Sequence, residues 1–173
     1  MCGIAGYFNP DQNYAENPKQ NFHTLSRMIN TMNHRGPDTY GHTIINSCCL
    51  AHTRLSIIDL ENGRQPMSYT KDGNTYYIVY NGEIYNYKEV KKTLLRKNYT
   101  FETNSDTEVI IAAFCHYGPG FVKELNGIFA IAIYDSMRNT LYLYRDRFGV
   151  KPLYYTKTGD TLVFASRIDT LFE

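Results

Sequence analysis

Cys2 is the residue whose type and position most clearly suggest chemistry, because it directly follows Met1. If Met1 is removed, this one residue carries both a thiol and a free α-amino group. Their reference pKa values, about 8.5 and about 7.7 to 8.0, allow proton transfer between them near neutral pH. Cys2 could then be nucleophile and general base together, with no catalytic histidine. The alternative is a buried cysteine in an apolar first strand.

Three other positions have residue types that suit a binding or catalytic site, and each also has an ordinary structural explanation. Asn81-Gly82 follows the apolar run 76–80 and is typical of a hairpin turn. Arg54 fits an exposed arginine on a strand. Asp106 lies in the first turn of a predicted helix, where the helix dipole favours an acidic residue.

Helices and clustered strands that would position these residues predict an α+β fold. A first helix carries an apolar face formed by Phe22, Leu25, Met28, Ile29 and Met32. A second helix, capped by Asn86, turns Val90, Leu94 and Leu95 inward. A third begins at 105–108, which has the capping-box pattern SDTE.

Short β-rich runs fill most of the remaining chain. Strands are predicted at 43–45, 50–53 and 76–80, with 63–72 as a loop. The C-terminal third predicts a β-meander with strands at 128–134, 141–144, 153–156 and 162–165.

Length and composition indicate one globular domain over 1–173, since 43% of its 173 residues are hydrophobic. A net charge of +1 gives no general attraction to nucleic acid or anionic membranes. No apolar run approaches the roughly 18 residues of a membrane span, and no signal peptide is recognisable, so we predict a cytoplasmic protein. Four cysteines and five scattered histidines lack metal-site spacing, and no nucleotide-binding motif occurs.

Six strings, in this order, resemble the glutaminase domain of class II glutamine amidotransferases, specifically that of asparagine synthetases. They are MCGIAG (1–6), HRGPD (34–38), AHTRLSII (51–58), NGEIYN (81–86), SDTE (105–108) and RDRFGVKPLYY (145–155). The resemblance implies a four-layer α/β/β/α sandwich with two antiparallel sheets, of the N-terminal nucleophile hydrolase type. We interpret 34–38 as a loop near the site and 145–155 as a turn between strands, and we assign no chemistry to either.

The same resemblance implies roles for individual residues. Cys2 would be the nucleophile, and the Asn81 amide and Gly82 N–H would form the oxyanion hole, where a missing Cβ lets the substrate oxygen approach. Arg54 would bind the α-carboxylate of glutamine, and Asp106 with Glu83 its α-ammonium group. The main chain of four consecutive residues would line the same pocket: Leu55, Ser56, Ile57 and Ile58.

The implied reaction is hydrolysis of L-glutamine to glutamate and ammonia through a γ-glutamyl thioester on Cys2. No metal or cofactor is expected in this domain. ATP and Mg are expected only in a C-terminal synthetase domain or subunit that would receive the ammonia and is missing from this sequence. A homo-oligomer is compatible with the sequence. Whether the chain is a fragment or a free-standing glutaminase stays open.

Three alternatives remain at this stage. The chain could belong to another amidotransferase that amidates a sugar or peptide. It could be a different hydrolase with an N-terminal cysteine. It could also be a glutamine-binding module without catalysis, which retained Met1 would favour because a blocked amine cannot act as the base.

Overall fold

The computed structural model of the protein describes residues 2–55 and 63–173. Strands and α-helices within those residues follow one another as β1 (Gly3–Phe8), α1 (Pro18–Met32), β2 (Thr39–Ile45), β3 (Cys48–Arg54), β4 (Met67–Lys71), β5 (Asn74–Ile84), α2 (Tyr87–Leu95), α3 (Asp106–Tyr117), β6 (Gly127–Asp135), β7 (Thr140–Arg145), β8 (Tyr154–Thr158) and β9 (Thr161–Ala165). Short 3-10 turns connect several of them.

Two antiparallel sheets form the centre of the fold. The first has the strand order β2-β3-β1-β9-β8, so β1 is its central strand and Cys2 lies immediately before that strand. The second has the order β4-β5-β6-β7. β4 is short and pairs with β5 only from Asn74 to Ile78, so among the described residues no strand pairs with that edge of β5 beyond Ile78.

Three apolar clusters show how the layers stack. Leu25, Met28 and Met32 of α1 pack on the outer face of the first sheet. Ile4 and Leu50 of the first sheet meet side chains of the second sheet between the two sheets. A third cluster packs α2 and α3 on the outer face of the second sheet. The layers are therefore helix, sheet, sheet and helix, which confirms the predicted four-layer sandwich.

The β6 strand illustrates why a central strand here is apolar on both faces. Ala130, Ala132 and Tyr134 point toward the first sheet, and Ile131 and Ile133 point toward α3. Successive side chains of a strand alternate between faces, and both faces of this strand are covered. Its sequence is therefore a nearly continuous apolar run.

The predicted C-terminal meander is wrong, because its four strands are divided between the two sheets. β6 and β7 belong to the second sheet, whereas β8 and β9 cross over and complete the first. Segment 63–72 is also not wholly a loop, since it contains β4. Local alternation identifies a strand, but it does not show which sheet the strand joins.

The helices were predicted correctly, but not every residue assigned to their inner faces is buried. Phe22 is 44% exposed and Leu95 is 52% exposed. Asn21 takes a buried place on α1, where its Nδ2 donates to the carbonyl oxygen of Tyr14 at 2.7 Å. Asn86 does not cap α2 with its side chain, which instead accepts a hydrogen bond from the backbone N–H of Asn126.

The capping-box pattern at α3 is only partly realised. Ser105 Oγ accepts a hydrogen bond from the backbone N–H of Thr107 at 3.1 Å, as an N-cap serine should. Glu108 does not return to the N-cap residue. Its carboxylate instead accepts from the backbone N–H groups of Glu102 and Thr103, at 2.8 and 2.7 Å, and so orders the preceding loop. No helix among the residues described is long and apolar enough to cross a membrane.

Candidate active site

One pocket collects most of the residues singled out by sequence. It contains about 180 Å³, less than the roughly 300 to 1,000 Å³ of sites for drug-sized ligands, so it suits a small molecule. Its lining residues come from both sheets and the residues next to their strands, from the segment before β4, from the start of α3 and from the loop before β8: Cys2, His52, Arg54, Leu55, Gly63, Gln65, Tyr80, Asn81, Gly82, Glu83, Ser105, Asp106, Thr107 and Lys151.

Strand alternation explains why separated residues face this pocket. His52 and Arg54 are two apart on β3, and His52 pairs with Ile4, whose side chain lies between the sheets. On β5, Val79 lies between the sheets as well, so Asn81 follows it on the same face. Nucleophile strand and candidate oxyanion strand therefore face each other across the gap between the sheets.

Cys2 is held against the main chain of Leu55. The Leu55 N–H donates to Cys2 Sγ at 3.4 Å, and the thiol is 3.7 Å from the Leu55 carbonyl oxygen. Arg35 Nε donates to the Cys2 carbonyl oxygen at 3.1 Å, which places the loop 34–38 beside the nucleophile as predicted. Gly36 is required there, because a Cβ would overlap the backbone of Thr53.

Asn81 and Gly82 lie inside β5, so the structure excludes a hairpin turn at this dipeptide. Tyr80 N–H, on the open edge of β5, donates to Gln65 Oε1 at 2.6 Å. Because N–H directions alternate along a strand, the Gly82 N–H is directed to the same edge. Asn81 is 2% exposed, and its Nδ2 has no hydrogen-bond partner among the residues described. An unpaired buried donor is uncommon and is consistent with a ligand site.

The structure supplies a steric reason for glycine at position 82. A Cβ there would overlap the carbonyl oxygen of Ile128 on β6 and lie 2.8 Å from a ring carbon of Tyr80. The constraint therefore comes from the backbone of β6 and from the Tyr80 ring. It does not require a substrate oxygen on that side.

Asp106 is the buried acidic group of the pocket, with 8% exposure at the first position of α3. It accepts a hydrogen bond from the Tyr80 hydroxyl at 2.9 Å, and backbone N–H groups, including that of Ile84, also reach it. Burial nevertheless raises the pKa of Asp106 above its ordinary value. Among the described side chains, no basic group forms an ion pair with it. The carboxylate is therefore suited to the cationic group of a ligand.

Arg54 brings positive charge to the same pocket and is itself 6% exposed. Its main chain is fixed by the backbone N–H of Asp38, which donates to the Arg54 carbonyl oxygen at 3.1 Å. Leu55 and Glu83 also line the pocket. Three predicted lining residues, Ser56, Ile57 and Ile58, lie outside the described residues.

Seven lining residues were not assigned a site role from sequence, among them His52, Gln65, Tyr80 and Lys151. His52 and Lys151 lie inside the quoted strings, whereas Gln65 and Tyr80 have no local signal. Burial, opposed by a backbone hydrogen bond to Tyr80 and assisted by the charge of Arg54, lowers the pKa of His52 to about 3. His52 is thus neutral at physiological pH. Lys151 shows that 145–155 is more than a turn between strands.

The remaining cysteines lie outside the pocket. Burial raises the pKa values of Cys49 and Cys115 to about 12 each, and it raises that of Cys48 as well. High pKa values make these thiols poor nucleophiles. No cluster of three or more His, Cys, Asp or Glu side chains in the described part of the chain is arranged to hold a metal ion.

Comparison with known proteins identifies the family. Residues 1–173 match the glutamine amidotransferase domain family over their whole length, and the chain belongs to that family. It is 41% identical to asparagine synthetase [glutamine-hydrolyzing] 3 of Bacillus subtilis, over 99% of this chain and 27% of the relative. It is 37% identical to amidase chyE of Penicillium rubens, over 97% of this chain and 26% of that protein.

A solved structure supports the fold independently. Glutamine phosphoribosylpyrophosphate amidotransferase from B. subtilis superposes with a TM-score of 0.71 and 19% identity, over 98% of this chain and 42% of that one. The chain spans about a quarter of the length of the curated relatives it matches.

Proposed function

We propose that this domain hydrolyses the side-chain amide of L-glutamine to glutamate and ammonia. The carrying observation is the charge arrangement of the pocket, with the cationic Arg54 and the anionic Asp106 both buried around Cys2. A free amino acid carries a carboxylate and an ammonium group, and both need partners when they leave water. Glutamine meets both requirements and presents its amide to the thiol.

The reaction proceeds through a covalent intermediate. Once Met1 has been removed, the α-amino group of Cys2 takes the thiol proton, and the thiolate attacks the amide carbon to form a carbon–sulfur bond. The Asn81 amide and Gly82 N–H stabilise the oxyanion. The ammonium group then protonates the leaving nitrogen, the carbon–nitrogen bond breaks, and ammonia departs. Water, deprotonated by the same amine, hydrolyses the thioester to glutamate and regenerates the thiol.

We further propose that the domain is the nitrogen-donor half of an asparagine synthetase, which makes asparagine from aspartate, glutamine and ATP. Support comes from the 41% identity to a B. subtilis protein with that name. ATP and Mg would act in the synthetase portion that receives the ammonia. The similarity to a fungal amidase favours a second candidate, in which the same glutaminase supplies ammonia to a different acceptor.

We also propose that the protein is cytoplasmic and that it forms a homo-oligomer. A nucleophilic thiol must stay reduced, and the reducing cytosol maintains that state. Fractionation and sedimentation measurements test these two proposals.

The test of the glutaminase proposal is Cys2→Ala, with Cys115→Ala as the matched control. Glutamine hydrolysis and intact mass are measured before and after exposure to an electrophilic glutamine analogue, with and without competing L-glutamine. We expect loss of Met1, one glutamine-protected adduct on Cys2, and at least a 10⁴-fold loss of turnover only in Cys2→Ala, since removal of a nucleophile typically costs that much. Undiminished hydrolysis by Cys2→Ala would refute the mechanism. Retained Met1, or labelling only elsewhere, would favour a binding module.

A further inference from the structure

Tyr80 is fixed at both ends, immediately before the candidate oxyanion residues. Its backbone N–H donates to Gln65 Oε1 at 2.6 Å, and its hydroxyl donates to Asp106 Oδ2 at 2.9 Å. The residue is 3% exposed. Because Asn81 and Gly82 follow directly in β5, the bonds at Tyr80 help to determine where their donors lie.

Gln65 makes a second hydrogen bond, to the first turn of α3. Its Nε2 donates to Thr107 Oγ1 at 3.3 Å, and Thr107 is 2% exposed in the first turn of α3, next to Asp106. The main chain of Gln65 also packs closely on the first sheet, since a Cβ at Gly41 of β2 would overlap the Gln65 carbonyl oxygen. One side chain therefore links β5 to α3, and its backbone contacts β2.

The position of Gln65 along β5 is informative. Met67 of β4 pairs with Ile78, and the next N–H on that edge of β5 belongs to Tyr80. The Gln65 side chain accepts this N–H where β4 no longer pairs. Gly82 N–H follows two residues later on the same edge. Gln65 thus lies where the pairing of β4 with β5 ends and where residues of β5 begin to line the pocket.

We propose that Gln65 is a positioning residue for glutamine hydrolysis, an inference that rests on the proposed glutaminase function. Its Oε1 holds Tyr80 and thereby the Gly82 N–H. Its Nε2 holds Thr107 and thereby the carboxylate of Asp106. The two atoms have separable effects: the first acts on stabilisation of the oxyanion and hence on kcat, and the second on binding of the α-ammonium group and hence on KM.

Four variants separate the two effects. Gln65→Met keeps the length of the side chain and loses both bonds, so we expect kcat to fall about 10- to 100-fold, as small misplacements of catalytic groups do, and KM to rise as in Thr107→Val. Gln65→Glu keeps an acceptor for the Tyr80 N–H and should keep kcat within about threefold of the wild type. Thr107→Val should raise KM about 2- to 10-fold with little change in kcat, because one neutral hydrogen bond is lost. Thr107→Ser keeps the hydroxyl and should restore KM.

The active fraction of each variant is titrated with the glutamine-mimicking electrophile, so that kcat refers to competent sites. A merely structural role would lower the active fraction and leave kcat per site unchanged. Gln20→Met, on the exposed surface of α1, is the matched control. The inference is overturned if kcat per site in Gln65→Met stays within twofold of the wild type. It is also overturned if kcat per site in Gln65→Glu falls as far as in Gln65→Met. If Gln65→Met fails to fold, an unchanged KM in Thr107→Val still overturns it.

The wild type and Cys2→Ala are assayed in parallel. If the wild type hydrolyses glutamine and the Gln65 and Thr107 variants have unchanged kcat and KM, this inference is refuted and the proposed function is not. Absence of both hydrolysis and Cys2 labelling in the wild type refutes the proposed function, and this inference with it.

Discussion

Replacing Asp106 by asparagine should weaken glutamine binding and make the free energy of unfolding less sensitive to pH in the range where Asp106 titrates. The side chain is 8% exposed and accepts a hydrogen bond from the Tyr80 hydroxyl at 2.9 Å. Asparagine has the same shape and its Oδ1 can accept the same bond, but its NH2 group cannot accept the backbone N–H groups that also reach Asp106. The substitution therefore removes the charge and leaves packing nearly unchanged.

The effect on binding follows from the loss of a charge-assisted hydrogen bond to the α-ammonium group of glutamine. Hydrogen bonds to charged groups contribute about 1.5 to 3 kcal/mol, and about 1.4 kcal/mol corresponds to a tenfold change in affinity. We therefore expect Asp106→Asn to raise KM for glutamine about 10- to 150-fold. Because Cys2 and the oxyanion donors are untouched, kcat at saturating glutamine should change much less.

The effect on stability is a change in its dependence on pH. Burial raises the pKa of Asp106 in the folded state above the value of an unfolded chain. The folded state therefore binds this proton more tightly, so the ionised form destabilises the fold above the raised pKa. This destabilisation is lost as pH falls through that pKa. Asparagine carries no charge at any pH, so the free energy of unfolding of the variant relative to that of the wild type should fall on acidification through this pKa.

Glutamine titrations and urea denaturation at several pH values test both parts. Asp11→Asn, on an exposed loop residue, is the matched control and should change neither quantity. For the wild type, KM should also rise as pH falls through the pKa of Asp106, and the variant should lose this dependence. An unchanged KM combined with lower stability at pH 7 would show that Asp106 serves only the fold.

Two further predictions concern neighbouring positions. Gly82→Ala should lower the free energy of unfolding by about 1 to 3 kcal/mol and reduce kcat, because the new methyl group overlaps the backbone of β6. Denaturation and kinetic measurements test this. Gly120→Ala is the control, because nothing lies within 4 Å of the added Cβ. Arg54→Lys keeps the charge but loses the planar donor fork, so KM for glutamine should rise about tenfold, whereas an unchanged KM would exclude bidentate carboxylate binding.

Much of the candidate site could be predicted because its residues occur in recognisable strings. Cys2, Arg54, Asn81 and Asp106 are far apart in the chain, and no periodicity brings them together. The resemblance to a family did so, and the structure places all four around one pocket. Their chemical roles stay predictions until the variants are measured.

The features that were missed depend on long-range contacts. Gln65 is a polar residue in a segment predicted to be a loop, and its importance appears only when its two hydrogen bonds to β5 and α3 are seen. Glu108 matches a capping box but caps the preceding loop instead. β8 and β9 alternate like any other strands, and they join the first sheet because β9 pairs with β1 and β8 pairs with β9.

The string 145–155 also acquires a physical explanation from the second sheet. Asp146 accepts hydrogen bonds from the backbone N–H groups of Phe148, Val150 and Lys151, which fold the loop around one carboxylate. The same carboxylate accepts the N–H of Phe129, at 3.2 Å.

Phe129 is the residue of β6 that pairs with Gly82. The loop thus contacts β6, which pairs with the candidate oxyanion strand β5, and it also contributes Lys151 to the pocket lining. Burial acts to raise the pKa of Asp146, but the backbone donors together lower it below its usual value. The carboxylate is therefore ionised throughout the neutral range, and the loop keeps these bonds where glutamine hydrolysis would operate.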